Sequence, residues 1–106
     1  MRKVQTIEEV QAVINDELLS FVYISSQGCS VCHSLLPQIE KLLEEYPRFA
    51  SIHVDANEVK AIAGTYIVFT VPAVIVFSKG KELFRKARFV PMEKLNQQLA
   101  KYSQFI

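Results

Sequence analysis

Leu18-Leu19-Ser20-Phe21-Val22-Tyr23-Ile24-Ser25-Ser26-Gln27-Gly28-Cys29-Ser30-Val31-Cys32-His33 is the stretch that decides the fold. Residues 18–25 are nearly continuous apolar, the pattern of a strand covered on both faces. From Cys32 to Tyr46, Leu35, Leu36, Ile39, Leu42 and Leu43 mark one face of a helix. Pro37 lies inside that helix and is expected to kink it, and Pro47 stops it. Both cysteines of the chain therefore fall at a strand-to-helix turn. A helix N-terminus offers free N–H groups and the positive end of its dipole, which favour a thiolate at Cys29. The thiolate is the attacking species in thiol–disulfide exchange.

Working outward, Thr6-x-x-Glu9 reads as a capping box ahead of a helix carrying Ile7, Val10, Val13 and Ile14 on one face. Phe49, Ile52 and Val54 suggest a strand ending at Asp55, and a weak helical pattern runs from Glu58 to Gly64. Ala73-Val74-Ile75-Val76-Phe77 is an almost pure strand after Thr70-Val71-Pro72. Ser78-Lys79-Gly80-Lys81 reads as a turn into a hairpin partner spanning Glu82 to Phe89. Pro91 opens a last helix with Met92, Leu95, Leu99 and Tyr102 on its apolar side. The expected order is helix, strand, helix, strand, helix, strand, strand, helix. Early alternation implies a parallel βαβ unit, and the late hairpin makes the sheet mixed.

The chain has 106 residues, of which 50% are hydrophobic, so one domain over 1–106 with a full core is expected. The net charge of +1 argues against nucleic acid as a partner. No run reaches the roughly 18 apolar residues of a membrane helix, and Met1 to Glu9 carries no apolar signal stretch. A cytoplasmic location and no membrane partner follow as expectations. Two cysteines are too few for a disulfide scaffold, and a close pair in a reducing compartment points to catalysis or metal.

With these features in place, the chain resembles the thioredoxin family over nearly its whole length. The resemblance rests on Cys29-x-x-Cys32 after a buried strand, on Pro37 beyond it, and on Val71-Pro72 before Ala73–Phe77. Asp55 and Gly80 also fall at family-like positions. It implies the α/β thioredoxin fold, a central mixed sheet of four to five strands flanked by helices. It implies that Cys29 is the attacking thiol and Cys32 the resolving thiol. It implies a cis bond before Pro72, although Pro72 read alone would be a trans proline opening a strand. Val71, Pro72 and Gly28 would then line the substrate site. Substrates would be disulfides of proteins or small molecules. No cofactor and no metal would be needed, and a thioredoxin reductase or a low-molecular-weight thiol would regenerate a monomeric protein.

Several positions depart from that family. Gly28 stands where a Trp is usual, and Ser30-Val31 replaces Gly-Pro. The buried acid falls at Tyr23, its lysine partner at Ser51, and a glycine near the substrate groove at Arg88. Tyr23 reads as a core aromatic, since a phenol with pKa near 10 is a poor base at neutral pH. His33 has two active readings beside that of a solvated helical residue: it can tune a cysteine pKa, or complete a Cys-x-x-Cys-His haem attachment pattern. Zinc would find at best three ligands in Cys29, Cys32 and His33. His53 is expected to face solvent or be hydrogen-bonded, with no role, and Asp55 to end a strand in a turn. Lys79, Lys81, Arg85, Lys86 and Arg88 make the hairpin basic, either to protect a sheet edge or to attract acidic proteins. A thiol–disulfide oxidoreductase is the reading preferred here. The rivals are a thioredoxin-fold adaptor module with little redox activity and a haem electron carrier.

Overall fold

The computed structural model describes residues 1–106. The chain begins with a short strand, β1 (Arg2–Val4). The first helix, α1 (Ile7–Asp16), starts where Thr6 Oγ1 accepts the Glu9 N–H at 3.2 Å. The Glu9 carboxylate accepts the Thr6 hydroxyl and the Gln5 N–H, so the return bond of the capping box reaches one residue further back. Strand β2 (Ser20–Ser25) is buried at every position. Helix α2 (Ser30–Leu43) continues through Pro37, whose missing N–H leaves the His33 carbonyl without its helical donor. Then follow β3 (Ala50–Asp55), α3 (Ala61–Tyr66), β4 (Ala73–Ser78), β5 (Lys81–Ala87) and α4 (Met92–Phe105).

The five strands form one sheet in the order β1-β3-β2-β4-β5. β1, β3 and β2 run parallel, and β4 and β5 are antiparallel to their neighbours, which makes the sheet mixed as expected. Alternation sends Val22 and Ile24 of β2 to one face, against Val10, Val13 and Ile14 of α1 and Ile62 of α3. Phe21 and Tyr23 go to the other face, with Cys32, Ile39 and Leu43 of α2 and Leu95 and Leu99 of α4. Helix α2, which carries Cys32, thus lies on the face that carries Tyr23.

Three expectations need correction. The strand β1 has no place in the expected order. It is three residues long and carries Arg2 and Lys3, so it has almost no local pattern, and it exists through parallel pairing with β3. The hairpin partner β5 ends at Ala87, not Phe89, because Arg88 turns out of the strand with φ 71°. Arg85 is not part of a free basic patch. Its guanidinium grips Glu82 at 2.7 Å and donates to the carbonyls of Tyr66 and Ile67 at 2.9 Å.

Candidate active site

Cys29 is the N-cap of α2, and its Sγ accepts the Cys32 N–H at 3.2 Å. The end of buried β2 fixes where the turn starts, and α2 fixes the direction of the first helical N–H groups. Cys29 and Cys32 are joined by a disulfide, with Cα atoms 5.3 Å apart. Cys29 is half-buried, whereas Cys32 is only 1% exposed. Ser30 and Val31 are exposed, as is Gly28, where an added Cβ would meet nothing within 4 Å. The His33 ring turns back to donate from Nε2 to the Gln27 carbonyl at 2.9 Å.

The Val71–Pro72 peptide bond is cis. Val71 and Cys29 pack against the same core cluster, the one that contains Cys32 and Tyr23. Of the residues singled out from sequence, Cys29, Cys32 and Val71 share that cluster, and Val71 also packs against the cluster on the opposite sheet face. The Pro72 carbonyl accepts the Arg88 N–H at 2.8 Å. Arg88 adopts its left-handed φ of 71° at the position where the family pattern has glycine. Asp55 makes the expected turn: its Oδ1 accepts the Asn57 N–H at 2.7 Å.

Beneath the disulfide lies a polar group that sequence reasoning missed. The Tyr23 hydroxyl donates to the Cys32 carbonyl at 2.6 Å. Burial pushes the Tyr23 phenol up to about 12, so it stays a donor. Its ring lies 5.3 Å from that of His53, its cross-strand partner on β3. His53 Nε2 shares a 2.6 Å hydrogen bond with Ser25 Oγ. His53 is thus half-buried and hydrogen-bonded, the second of the two settings expected for it. Burial lowers its pKa below the ordinary value, with Lys3 adding to the effect and Asp55 opposing it. The signal was the shared parity of Tyr23, Ser25 and His53, which becomes readable only once the β2–β3 register is known. Phe69 and Phe89 were missed too. They are 81% and 77% exposed, three residues before Pro72 and next to Arg88.

The Thioredoxin family model matches residues 2–101. The thioredoxin-like protein YdfQ of Bacillus subtilis is 39% identical over 99 residues, covering 93% of this chain and 88% of that protein. The mitochondrial thioredoxin-2 of Schizosaccharomyces pombe is 30% identical, covering 98% of this chain and 80% of its own length. Among solved structures, Fasciola hepatica thioredoxin superposes with a TM-score of 0.86 at 26% identity, over 95% of this chain and 98% of that one. Plasmodium falciparum thioredoxin, at 22% identity, shares the fold with a TM-score of 0.88 over 96% and 99% of the two chains.

Proposed function

The chain belongs to the thioredoxin family and is a thiol–disulfide oxidoreductase, and from that premise we propose how its residues divide the reaction. Cys29 attacks the substrate disulfide as a thiolate, forming a mixed disulfide and releasing one substrate thiol. Cys32 then attacks the Cys29 sulfur, which closes the Cys29–Cys32 bond and frees the second substrate thiol. The observation that carries this division is exposure: Cys29 is half-buried at the helix N-terminus and Cys32 is 1% exposed. The N-cap position, the Cys32 N–H at 3.2 Å and the dipole of α2 all stabilise negative charge on Cys29. His33, when protonated, adds to that stabilisation from the first turn.

In this reading the backbone of Val71 pairs with an extended substrate segment, Pro72 shapes the loop, and Gly28 leaves the approach to Cys29 open. Phe69 and Phe89 are exposed on the segments that hold Pro72 and Arg88, and we assign them to meet apolar side chains of a protein substrate. Disulfide substrates and a reductant follow from the family; a protein disulfide as substrate, and a thioredoxin reductase or a small thiol as reductant, are our assignments. We assign residues 1–106 to one domain, a reading supported by all five strands sharing one sheet, and we take that domain to act as a monomer. No helix is long and apolar enough to cross a membrane, and a cytoplasmic role is the setting we assign.

The test is a pair of variants in an insulin-type disulfide reduction assay. Cys29→Ser should abolish turnover. Cys32→Ser should lose turnover but accumulate mixed disulfides through Cys29, visible by mass spectrometry. Full activity in Cys29→Ser would reverse the two assignments, and an inactive wild type would favour the adaptor reading.

A further inference from the structure

The segment that carries Val71 leaves α3 through a residue ill-suited to its own conformation. Ile67 ends that helix at φ 56° and ψ 61°, in the left-handed region that a β-branched residue resists. Its side chain is exposed, so packing does not hold the turn. Arg85 of β5 does. Its Nη2 donates to the Tyr66 carbonyl and its Nη1 to the Ile67 carbonyl, both at 2.9 Å. Glu82 grips the guanidinium in turn, its carboxylate accepting from Nε and Nη2 at 2.7 Å. At the far end of the segment the Arg88 N–H donates to the Pro72 carbonyl at 2.8 Å.

We propose that Arg85, braced by Glu82, is a positioning residue for substrate: it fixes the turn at Ile67 and so the direction in which the Val71 backbone is offered to an extended peptide bearing a disulfide. This rests on the reading that Val71 pairs with substrate. β5 and the residue that follows it then mount the segment 67–72 at both ends, by the Arg85 side chain and the Arg88 backbone. Between the two mounts, Val68 sinks into the core and its N–H reaches the Ala63 carbonyl at 3.0 Å. That anchor sets the depth of the segment, and the backbone angles at Ile67 set its direction. A cation is also well placed at the last carbonyls of a helix. Arginine suits the task because its planar fork spans two carbonyls and a carboxylate at once, which a lysine ammonium does not.

General stabilisation does not account for this arrangement. The side chains of Arg85 and Glu82 are 33% and 38% exposed, and ion pairs as open as this add little to stability. A glycine at position 67 would adopt the left-handed turn freely and need no clamp. Ile67 instead makes the turn depend on Arg85, so the two positions are coupled. The clamp touches neither cysteine. A small aryl disulfide makes no backbone pairing with Val71, and its reaction with Cys29 is therefore indifferent to Arg85. An extended peptide is not indifferent, because its docking needs the Val71 backbone correctly aimed.

The test compares the wild type with Arg85→Met, Arg85→Lys and the double variant Arg85→Met with Ile67→Gly. One substrate is an extended peptide dimer joined by a disulfide, reduced with dithiothreitol as recycling thiol. The other is dithiobis(nitrobenzoate), whose released thiolate is coloured. Arg85→Met should raise KM for the peptide at least about fivefold, with kcat and the rate on the aryl disulfide unchanged. Arg85→Lys should follow Arg85→Met, since charge alone does not make the clamp. Adding Ile67→Gly to Arg85→Met should return KM to within about twofold of the wild type. An unchanged KM in Arg85→Met would overturn the proposal. Equal losses on both substrates would overturn it too, by showing that Arg85 serves only the fold. So would a raised KM that Ile67→Gly does not rescue, which would mean that the guanidinium itself touches substrate. The Val71 reading is tested apart from this, with the same peptide methylated at the amide nitrogens beside its cysteine. The wild type should reduce that peptide poorly, and equal reduction of both peptides would overturn the pairing with Val71 whatever the Arg85 variants show.

Discussion

Cys29 occupies a position whose chemistry is set by atoms within its own turn. Its Sγ accepts the Cys32 N–H, it caps α2, and His33 follows in the first turn. The N–H bond and the cap position both favour the reduced, thiolate form. The place of the family's buried acid is taken by Tyr23, which is neutral and raised to about 12, so no carboxylate there opposes the thiolate. Stabilising the reduced form makes a couple more oxidising. A typical thioredoxin lies near −270 mV, and the Cys29–Cys32 couple should lie at about −260 to −200 mV. Equilibration with glutathione buffers measures it, and a value below that of thioredoxin would contradict this account. The pair itself was legible in the sequence, because Cys29-x-x-Cys32 follows a continuous apolar strand. The Tyr23 hydrogen bond was not, since a core tyrosine gives no sign of which carbonyl its hydroxyl will reach.

At the level of elements, the loop that delivers Val71 and Pro72 starts from a strained helix end. Ile67 is the C-cap of α3 and adopts φ 56°, a left-handed conformation that a β-branched residue resists. Arg85 holds this end by donating to the Tyr66 and Ile67 carbonyls. The Ile67 side chain is 66% exposed, so little packing is lost when it is removed. Ile67→Gly should therefore stabilise the protein by about 0.5–1 kcal/mol, read as a higher urea midpoint. An unchanged or lower midpoint would show that the chain accommodates the strain elsewhere. The element pattern of α1, β2, α2 and β4 was readable because each carries a strong period. β1 was not, since three residues have no period and their stability comes from Ile52, His53 and Val54 across the sheet.

For the whole molecule, the buried titratable groups set how stability depends on pH. The His53 pKa is lowered from 6.5 on folding, so the unfolded chain binds more protons than the folded one just below that value. Stability is full above about pH 6.5 and falls as pH drops toward the lower folded value. Tyr23, Tyr46 and Tyr66 are all raised from 10.0 by burial. There the folded state keeps protons that the unfolded chain loses, so stability falls again as pH rises above about 10. Thermal melts across pH should show a plateau between these limits. His53→Gln should flatten the acid side and leave the alkaline side in place, and an unchanged acid side would assign that loss to other groups. A second expectation concerns the surface. Replacing Phe69 and Phe89 together by Ser should raise KM for a protein disulfide and leave the rate with a small aryl disulfide unchanged, because only a protein substrate reaches both rings. Equal losses on both substrates would remove these rings from recognition.

Local pattern determined the redox turn, the alternation of helices and strands, the hairpin and the proline that precedes β4. Those features depend on residues close in sequence, whose spacing sets which side of an element is apolar. Tertiary structure decided the pairing of β1 with β3, the grip of Arg85 on α3, and the meeting of Tyr23, Ser25, His53 and Cys32. These four residues come from three elements, and only the β2–β3 register and the seating of α2 on one sheet face bring them together. Register is a non-local property: a slip of one residue would send His53 to the opposite face, and the polar pair beneath the disulfide would not exist.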